Sequence, residues 1–445
     1  MSLDGSVQIR SLAITIPFPS SIQQSVISPL PHFYLLMKVH KTPLKTRPIV
    51  SYTGSLLYGL GKWVDHHLQS VSRTFRSFIK SSFDLKHELD QLTIPAGCRL
   101  LTADATAMYT NINSSAAIGC IHRYMLDNSN LFPLVPIDAV VSALHLIMDN
   151  NIFQFGDTFW KQLTGTAMGA PPAPPYATAA FGTHEETLLN EFPSNLLYYR
   201  RYIDDVFAIW IPDPDPIIDC QLLLSFSQRL NDWHGLKWIV SPLSTSVVFL
   251  DLTLTIVDDH IVSSLYKKPM NLHLYIPPRW AHPPGVLLGL ISGWIYCLLS
   301  LCSLLSDAHD NICSLWTFLL AQGYQPSKLR PIFDHAIQTV RPFDPDRTTT
   351  PVDPDHERLW LFKLQYHPQD PPPSQLQQLW SSCIANPPLP KPLADVDINY
   401  EPIGHRRFIV CYKRAPNLGN LLSYRKLRSD TGPPASSYLH LIRDS

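Results

Sequence analysis

The chain has few charged residues, no clustered cysteines and no recognisable signal peptide. Asp, Glu, Lys and Arg make up 16% of its 445 residues, a small share for a globular protein. The eight cysteines include no C-x-x-C pair, so we expect neither a structural zinc site nor a disulfide framework. Scattered thiols of this kind fit a reducing compartment. The N-terminus lacks a compact apolar stretch behind a basic start, and we therefore expect no signal peptide.

The net charge is only −1, but the charges are unevenly distributed along the chain. Residues 1–100 carry eleven Lys and Arg against five Asp and Glu, and residues 401–445 carry eight against three. Residues 101–400 carry 16 against 28. Basic ends around an acidic centre suit a protein that binds metal ions and nucleic acid, although chance clustering on solvated surfaces gives the same pattern.

Length and composition predict several packed regions. A hydrophobic content of 45% is sufficient for buried cores, and a chain of this length is expected to divide into two or three subdomains. The 41 prolines are concentrated toward the C-terminal part. They predict a linker or a loosely packed extension over Arg341–Asp397, interrupted by a short helix at His356–Gln365.

One long uncharged run, Val286–Leu305, is sufficient in length to cross a bilayer. It contains serines and glycines and has no Lys or Arg at either end. We therefore favour a buried helix. A membrane span and an exposed apolar surface for a partner remain the alternatives.

Hydrophobic spacing predicts alternating strands and helices through the first three quarters of the chain. Strands or hairpins are predicted over Phe33–Ser51, Cys98–Thr106, Asn151–Gln162, Leu196–Trp210, Val247–Ile256, Ile261–Lys267 and the start of Phe408–Arg428. Helices are predicted over Leu56–Leu92, Pro136–Asn150, Tyr176–Asn190, Leu222–Trp233 and Val286–Gln322. A Gly- and Pro-rich loop is predicted over Thr164–Pro175.

Two adjacent acids, Asp204 and Asp205, interrupt an apolar and aromatic stretch at Leu196–Trp210. The pattern predicts a β-hairpin with both carboxylates at its turn. Paired carboxylates on a rigid hairpin are suited to hold two Mg²⁺ ions roughly 4 Å apart for phosphoryl transfer, because Mg²⁺ prefers hard oxygen ligands. Asp is also common in turns for backbone reasons, and an ordinary turn explains the same pair.

The order of the other motifs is that of the palm of a right-hand polymerase. Asp104 ends an apolar strand, and the Gly-rich loop and the Asp204–Asp205 hairpin follow it. A cap at a strand end is the alternative for Asp104. Tyr109 follows five positions later, where an aromatic ring beneath the sugar would exclude a 2′-hydroxyl and select deoxynucleotides. Burial in the core is the alternative for Tyr109.

These segments resemble the reverse transcriptases of Penelope-like retroelements, which are relatives of telomerase. The resemblance covers about residues 33–330 and 405–428. The matching stretches, in the order of the family, are FYLLMKVHK with TRPIVS, KWVDHHLQ, LLTADATAMYTNI, QLTGTAMGAPPAPPYAT, RRYIDDVFAIW, VVFLDLTL and LYKKP, with weaker matches at HPPGVLLGLISGWIYCLLSLCS and YKRAPNLGNLLSYRKL.

The resemblance implies an α+β fold, a right-hand polymerase with fingers, palm and thumb and an antiparallel palm sheet. The regions it implies are a flexible N-terminal segment (1–32), fingers (33–100), a palm with inserted helical parts (101–270), a thumb-like helical region (271–340), a Pro-rich linker or extension (341–400) and a basic C-terminal segment (401–445).

The resemblance also implies roles for individual residues. The implied catalytic and metal-binding set is Asp104, Ala105, Asp204 and Asp205, with Asp104 and Asp204 binding both metals. Arg47 would contact the triphosphate, since its planar fork pairs phosphate oxygens, and Lys38 or Lys45 would assist. The implied nucleotide-binding set continues with Tyr109, Gly165, Met168 and Gly169, and the implied primer grip is Phe249, Leu250 and Asp251. Arg47 alone could be an ordinary surface residue, the glycines plain turn residues, and Asp251 part of ordinary strand packing.

The cofactor implied is a pair of Mg²⁺ ions, with Mn²⁺ as a substitute. The partners implied are an RNA template, a DNA primer and deoxynucleoside triphosphates. The sequence shows no GIY-YIG pattern, so the chain resembles either an endonuclease-lacking member of the family or a fragment, and a separate endonuclease is a further candidate partner. We expect the nucleus rather than the cytoplasm, and no membrane.

Some positions depart from the pattern of the family. Met37 and Thr178 stand where Pro and Asn are usual, the loop is Pro-dense at Pro171–Pro175, and Val286–Leu305 lacks the Lys and Arg expected to grip duplex phosphates. The rival hypothesis is therefore a truncated or catalytically inactive remnant that binds nucleic acid. The intact acidic motifs favour the enzyme.

Overall fold

The computed structural model describes residues 30–38, 45–268, 271, 273–279, 282–283, 285–346, 359–384 and 407–413. By internal contacts the chain divides into two compact units, one ending at Ile261 and the other beginning at Val262. Among the described residues, no helix combines the length and the apolar character that a membrane crossing requires.

The first unit is a mixed α/β structure. Its elements, in chain order, are β1 (His32–Lys38), β2 (Lys45–Ser51), α1 (Tyr58–Ser72), α2 (Ser82–Asp90), β3 (Arg99–Ala105), α3 (Met108–Asn111), α4 (Ser114–Asp127), α5 (Ile137–Asp149), β4 (Ile152–Phe155), β5 (Thr158–Lys161), α6 (Ala173–Glu191), β6 (Leu196–Tyr202), β7 (Asp205–Trp210), α7 (Pro216–Asn231), β8 (Trp238–Val240), β9 (Ser246–Phe249), β10 (Leu252–Val257) and the first residues of β11 (His260–Leu265).

The central sheet has the strand order β6-β7-β3-β8, and its pairings are antiparallel. The register of β3 and β7 pairs Leu101 with Ala208 and Ala103 with Val206. These buried side chains belong to one hydrophobic core, and the period of two places them on the same face of the sheet. Helices α1, α4, α5 and α6 add to that core the side chains Val64, Leu68, Ile118, Ile121, Leu144, Tyr176 and Phe181.

The remaining strands of the first unit belong to two smaller sheets. β2, β1, β4 and β5 form a sheet in that order, in which β1 is antiparallel to β2 and parallel to β4. The ring of Phe33 on β1 stacks on Phe153 and meets Phe155 edge-on, with centroids 5.4 and 5.2 Å apart. β9 and β10 form a hairpin whose turn is Leu250–Asp251.

Local sequence explains where the helices of the first unit begin. α4 starts after Asn113, whose side-chain oxygen accepts a hydrogen bond from the amide of Ala116 at 3.1 Å, as an N-cap does. α6 starts inside the Pro-dense loop, with Pro174 and Pro175 in its first turn. A helix tolerates Pro there because the first amides have no partner within the helix.

The second unit is mainly helical. Its elements are α8 (Val286–Leu301), α9 (Leu305–Ala321), α10 (Pro326–Thr339), β12 (Leu359–Gln365), α11 (Pro373–Leu379), a π-helical turn (Trp380–Ile384) and β13 (Arg407–Lys413). Helices α8, α9 and α10 share a core that includes Ile291, Ile295, Leu319, Leu329 and Phe333. The apolar run that includes α8 therefore forms a helix with one buried side, as favoured from its sequence. β12 pairs in parallel with β13.

The structure corrects several predicted elements. Val247–Ile256 is not one strand, because Leu250 adopts a φ of +53° and the chain reverses there between β9 and β10. The helix predicted at His356–Gln365 is wrong from Leu359 onward, where pairing with β13 makes a strand; residues 356–358 lie outside the described residues. Leu56–Leu92 forms two helices, α1 and α2. α4 and α10 had not been predicted.

Gly182 on α6 tests the packing of the first unit. A Cβ there would lie 2.7 Å from the ring of Phe75, so Gly182→Ala should lower the free energy of unfolding by about 1–3 kcal/mol. In the control, a Cβ on Gly119 of α4 meets nothing within 4 Å, and Gly119→Ala should raise the free energy by up to about 1 kcal/mol. Thermal denaturation followed by circular dichroism compares the two variants. Shifts of the same sign would contradict this packing.

Candidate active site

Asp104 and Asp205 lie opposite each other at one end of the central sheet. The register pairs them directly across β3 and β7. Since the neighbouring residues Ala103 and Val206 face the helical core, the period of two turns Asp104 and Asp205 to the other face of the sheet. Paired residues in an antiparallel sheet have side chains close together on one face. The register therefore brings two of the three predicted carboxylates to the same end of the sheet.

The third carboxylate, Asp204, lies in the two-residue turn between β6 and β7. The amide of Ala105 donates to the carbonyl of Asp204 at 2.9 Å, so the turn is attached to the end of β3. Ile203, the other turn residue, has a φ of +56°. A positive φ is rare for a β-branched residue and costs free energy. The surrounding structure must therefore hold this turn in place.

Electrostatic interactions link the three acids. Burial raises the pKa of Asp205 to about 7, and the charges of Asp204 and Asp104 contribute to the increase. Burial also raises the pKa of Asp204, and the positive charges of Arg47, Lys38 and Arg201 partly offset that effect. Carboxylates with a common negative field and nearby cations are typical of functional sites.

Two of these cations, Lys38 and Arg47, lie on the first two strands. Arg47 lies opposite Leu36, and Lys45 lies opposite Lys38, in the register of β1 and β2. Arg47 acts on the pKa of both Asp204 and Tyr109, which places its charge at the carboxylate site. Lys45 is exposed at the start of β2, and residues 39–44, between β1 and β2, lie outside the described residues.

Tyr109 lies beside the carboxylates. It belongs to α3, which follows the strand that ends at Asp104 and Ala105. Burial raises the pKa of its hydroxyl, and the charges of Asp204 and Tyr202 raise it further. Its ring also packs on the main core. Tyr109 is therefore a half-buried packing residue whose polar end lies beside the carboxylates.

The Gly-rich loop connects Tyr109 to β2. The amide of Thr166 donates to the carbonyl of Tyr109 at 2.6 Å, and the amide of Val50 donates to the carbonyl of Met168 at 2.7 Å. A Cβ on Gly165 would lie 2.3 Å from the carbonyl oxygen of Tyr109, and one on Gly169 would lie 2.4 Å from that of Val50. Both glycines also have positive φ. Only glycine permits this close approach, which sets β2 and its Arg47 against the carboxylate site.

The predicted primer-grip residues form the hairpin of β9 and β10. Phe249 is buried, and its ring lies 5.6 Å from that of Phe207. Phe207 lies on β7 two residues after Asp205 and therefore on the same face of the sheet. Leu250 and Asp251 form the turn. Phe249 thus supports the hairpin from within, and Asp251 is exposed at the turn.

The donor set fits Mg²⁺ in its chemistry. Three carboxylates supply the hard oxygen atoms that this ion prefers, and Ala105 could add only its backbone carbonyl. Across the parts of the chain that the structure describes, no three His, Cys, Asp or Glu side chains come close enough to enclose an ion.

The sequence analysis missed a polar network directly behind the turn. Arg201 and Glu185 are fully buried and form an ion pair of 2.8 Å. Arg201 also donates to the carbonyl of Ile203 at 2.7 Å. The signal was present in the sequence, because alternation along β6 turns Arg201 toward the core, where an arginine needs a partner.

Comparison with known proteins finds structural likenesses to polymerases at low identity. No protein-family model matches the chain, and no curated protein matches it. The similarity to telomerase from Candida albicans, solved with a fragment of telomeric RNA, covers 73% of this chain and 57% of the telomerase chain. The sequence identity is 14% and the TM-score is 0.47. Apo telomerase from Candida tropicalis is similar over 69% and 60%, with 12% identity and a TM-score of 0.41.

A viral enzyme shows a similar degree of likeness. The similarity to the RNA-dependent RNA polymerase of BmCPV at elongation state covers 64% of this chain and 26% of the viral chain. The sequence identity is 12% and the TM-score is 0.38. The chain spans 57–60% of the two telomerase chains. At TM-scores below 0.5, these likenesses establish neither a family nor an activity for it.

The raised pKa of Asp205 predicts a pH dependence of stability. The folded state keeps the proton of Asp205 up to a pH of about 7, whereas the unfolded chain loses it near about 4. Stability contributed by this residue therefore falls as the pH rises through that window. In metal-free buffer, Asp205→Asn should raise the melting temperature at pH 8 and change it little at pH 4. Asp251→Asn, at the exposed turn, is the control. An equal shift at both pH values would contradict the shared site.

Proposed function

We propose that the chain is an RNA-directed DNA polymerase of a retroelement, with the right-hand organisation of fingers, palm and thumb. The observation that supports this most strongly is the direct pairing of Asp104 with Asp205 beside the turn that carries Asp204. In this proposal the central sheet is the palm, β1 and β2 belong to the fingers, and α8–α10 form the thumb. The reaction is the addition of a deoxynucleotide to a DNA 3′-end with release of pyrophosphate.

Each group at the site has a role that follows from its charge. When bound, two Mg²⁺ ions would activate the primer hydroxyl and neutralise the negative charge of the leaving phosphates. Asp104 and Asp204 would hold those ions, and Asp205 would support them. Arg47 and Lys38 set positive charge beside the carboxylates, where a triphosphate would be bound. The protein thus contributes positioning and charge rather than covalent chemistry.

The choice of template and the cellular setting rest on the resemblance to Penelope-like elements. An RNA template, a DNA primer and a separate endonuclease are the partners proposed on that ground, and the nucleus is the proposed location. The turn residues Leu250 and Asp251 are proposed to contact the primer. Lys45, at the start of β2, is proposed to assist Arg47 with the phosphates.

Primer extension on an RNA template tests the reaction. With Mg²⁺ and deoxynucleotides, the purified chain should extend a DNA primer, and Asp204→Asn should reduce the rate at least about 100-fold, which corresponds to about 3 kcal/mol of lost transition-state stabilisation. Asp258→Asn, at the exposed turn between β10 and β11, should leave the rate unchanged. Equal extension by wild type and Asp204→Asn would contradict the proposal. Nucleic-acid binding without extension would support the inactive remnant instead.

The ring of Tyr109 is proposed to select the sugar of the incoming nucleotide. Its polar end lies at the carboxylate site, so the ring can occupy the space that a 2′-hydroxyl requires. Tyr109→Ala should raise the incorporation of ribonucleotides relative to deoxynucleotides by about tenfold or more. Tyr109→Phe keeps the ring and should not relax selection. If both variants relax it equally, the hydroxyl rather than the ring is responsible, and the steric account fails.

A further inference from the structure

Arg201 is an arginine without access to solvent. Its side chain is 1% exposed, and that of its partner Glu185 is 0% exposed. Nε and Nη2 donate to the two carboxylate oxygens of Glu185 at 2.8 Å each. The same two oxygens also accept hydrogen bonds from the hydroxyl of Tyr199 at 2.7 Å and from that of Ser77 at 2.6 Å. The network is thus saturated around the carboxylate.

The remaining bonds of Arg201 reach the backbone on both sides of it. Nη2 donates to the carbonyl of Thr178 in α6 at 2.8 Å, and Nη1 donates to the carbonyl of Ile203 at 2.7 Å. The Ile203 carbonyl belongs to the peptide that leads directly into Asp204. The guanidinium therefore fixes the orientation of that peptide plane relative to a buried helix.

The turn needs such a support. Ile203 holds a φ of +56°, and a strained conformation persists only where its surroundings over-determine it. A buried ion pair is seldom the most stable choice for a core, since apolar residues of similar volume often serve as well or better. A role in holding one particular backbone conformation explains the presence of this ion pair.

We propose that Arg201, held by Glu185, is a positioning residue that locks the peptide between Ile203 and Asp204 and so fixes the position of the Asp204 carboxylate relative to Asp104. The proposal rests on the proposed function only in that these carboxylates bind a divalent cation. The neighbouring pairs provide matched comparisons. Arg200 bonds Glu88 at 2.8 Å, with side chains 27% and 35% exposed, and Arg76 bonds Glu186 at 2.8 Å, with side chains 52% and 28% exposed.

Mn²⁺ binding by the full chain, measured by electron paramagnetic resonance, tests the proposal without requiring activity. Arg201→Lys keeps the charge but cannot reach Glu185, Thr178 and Ile203 together, because lysine lacks the planar fork. We expect it to weaken Mn²⁺ binding about 10–100-fold, as loss of an outer-shell partner does at metal sites. Arg200→Lys should change the affinity less than about twofold, because the side-chain hydrogen bonds of Arg200 go to Glu88, Arg76 and Tyr199 and not to the turn.

A second substitution separates positioning from general stability. Glycine adopts a positive φ without strain, so Ile203→Gly in the Arg201→Lys background should restore part of the lost affinity. Should Arg201→Lys fail to fold, Glu185→Gln provides the same test, with Glu186→Gln as its neighbour on α6. Hydrogen exchange at the β6–β7 turn should increase in Arg201→Lys and not in Arg200→Lys.

The outcomes distinguish this proposal from the proposed function. Weakened Mn²⁺ binding in Arg201→Lys with partial recovery by Ile203→Gly supports the positioning role. Equal affinity in Arg201→Lys and Arg200→Lys overturns it, and so does a loss that Ile203→Gly fails to restore. A wild type that binds Mn²⁺ through Asp204 but extends no primer overturns the polymerase alone. A wild type without such binding overturns both.

Discussion

The candidate site depends on the register between β3 and β7. Alternation along these strands sends Leu101, Ala103, Val206 and Ala208 into the core and leaves the paired Asp104 and Asp205 on the opposite face. A slip of one residue would bury one carboxylate and expose apolar side chains. Burial of the apolar side chains therefore stabilises this register. The register in turn brings together two acids that are 101 positions apart in the chain.

The same arrangement concentrates negative charge that the protein only partly offsets. Asp104 and Asp204 raise the pKa of Asp205, and the cations Arg47 and Lys38 act on Asp204 from the first two strands. The Gly-rich loop sets those strands against the site through bonds to Val50 and to Tyr109. Core packing thus sustains a cluster of carboxylates that is unfavourable on electrostatic grounds alone, as is typical of metal and catalytic sites.

Sequence patterns were sufficient for much of this site. Apolar runs ending in acids predicted the β6–β7 hairpin and the strand before Asp104, because burial of a strand face leaves a clear signal. The turn at Leu250–Asp251 could not be predicted, because VVFLDLTL is almost continuously apolar and lacks the usual pattern of turn residues. β12 was also hidden, because its strand depends on pairing with β13 more than forty positions away. The partner of Arg201, Glu185, lies on a helix, and only the folded chain shows that the two meet.

The most direct measurement is anomalous diffraction from crystals of the chain grown with Mn²⁺, an RNA–DNA duplex and a non-hydrolysable deoxynucleotide. The account predicts two anomalous peaks about 4 Å apart, bridged by the carboxylates of Asp104 and Asp204, with the triphosphate against Arg47. Bound nucleic acid with no peak at the β6–β7 turn, or with Mn²⁺ held by other residues, would contradict it.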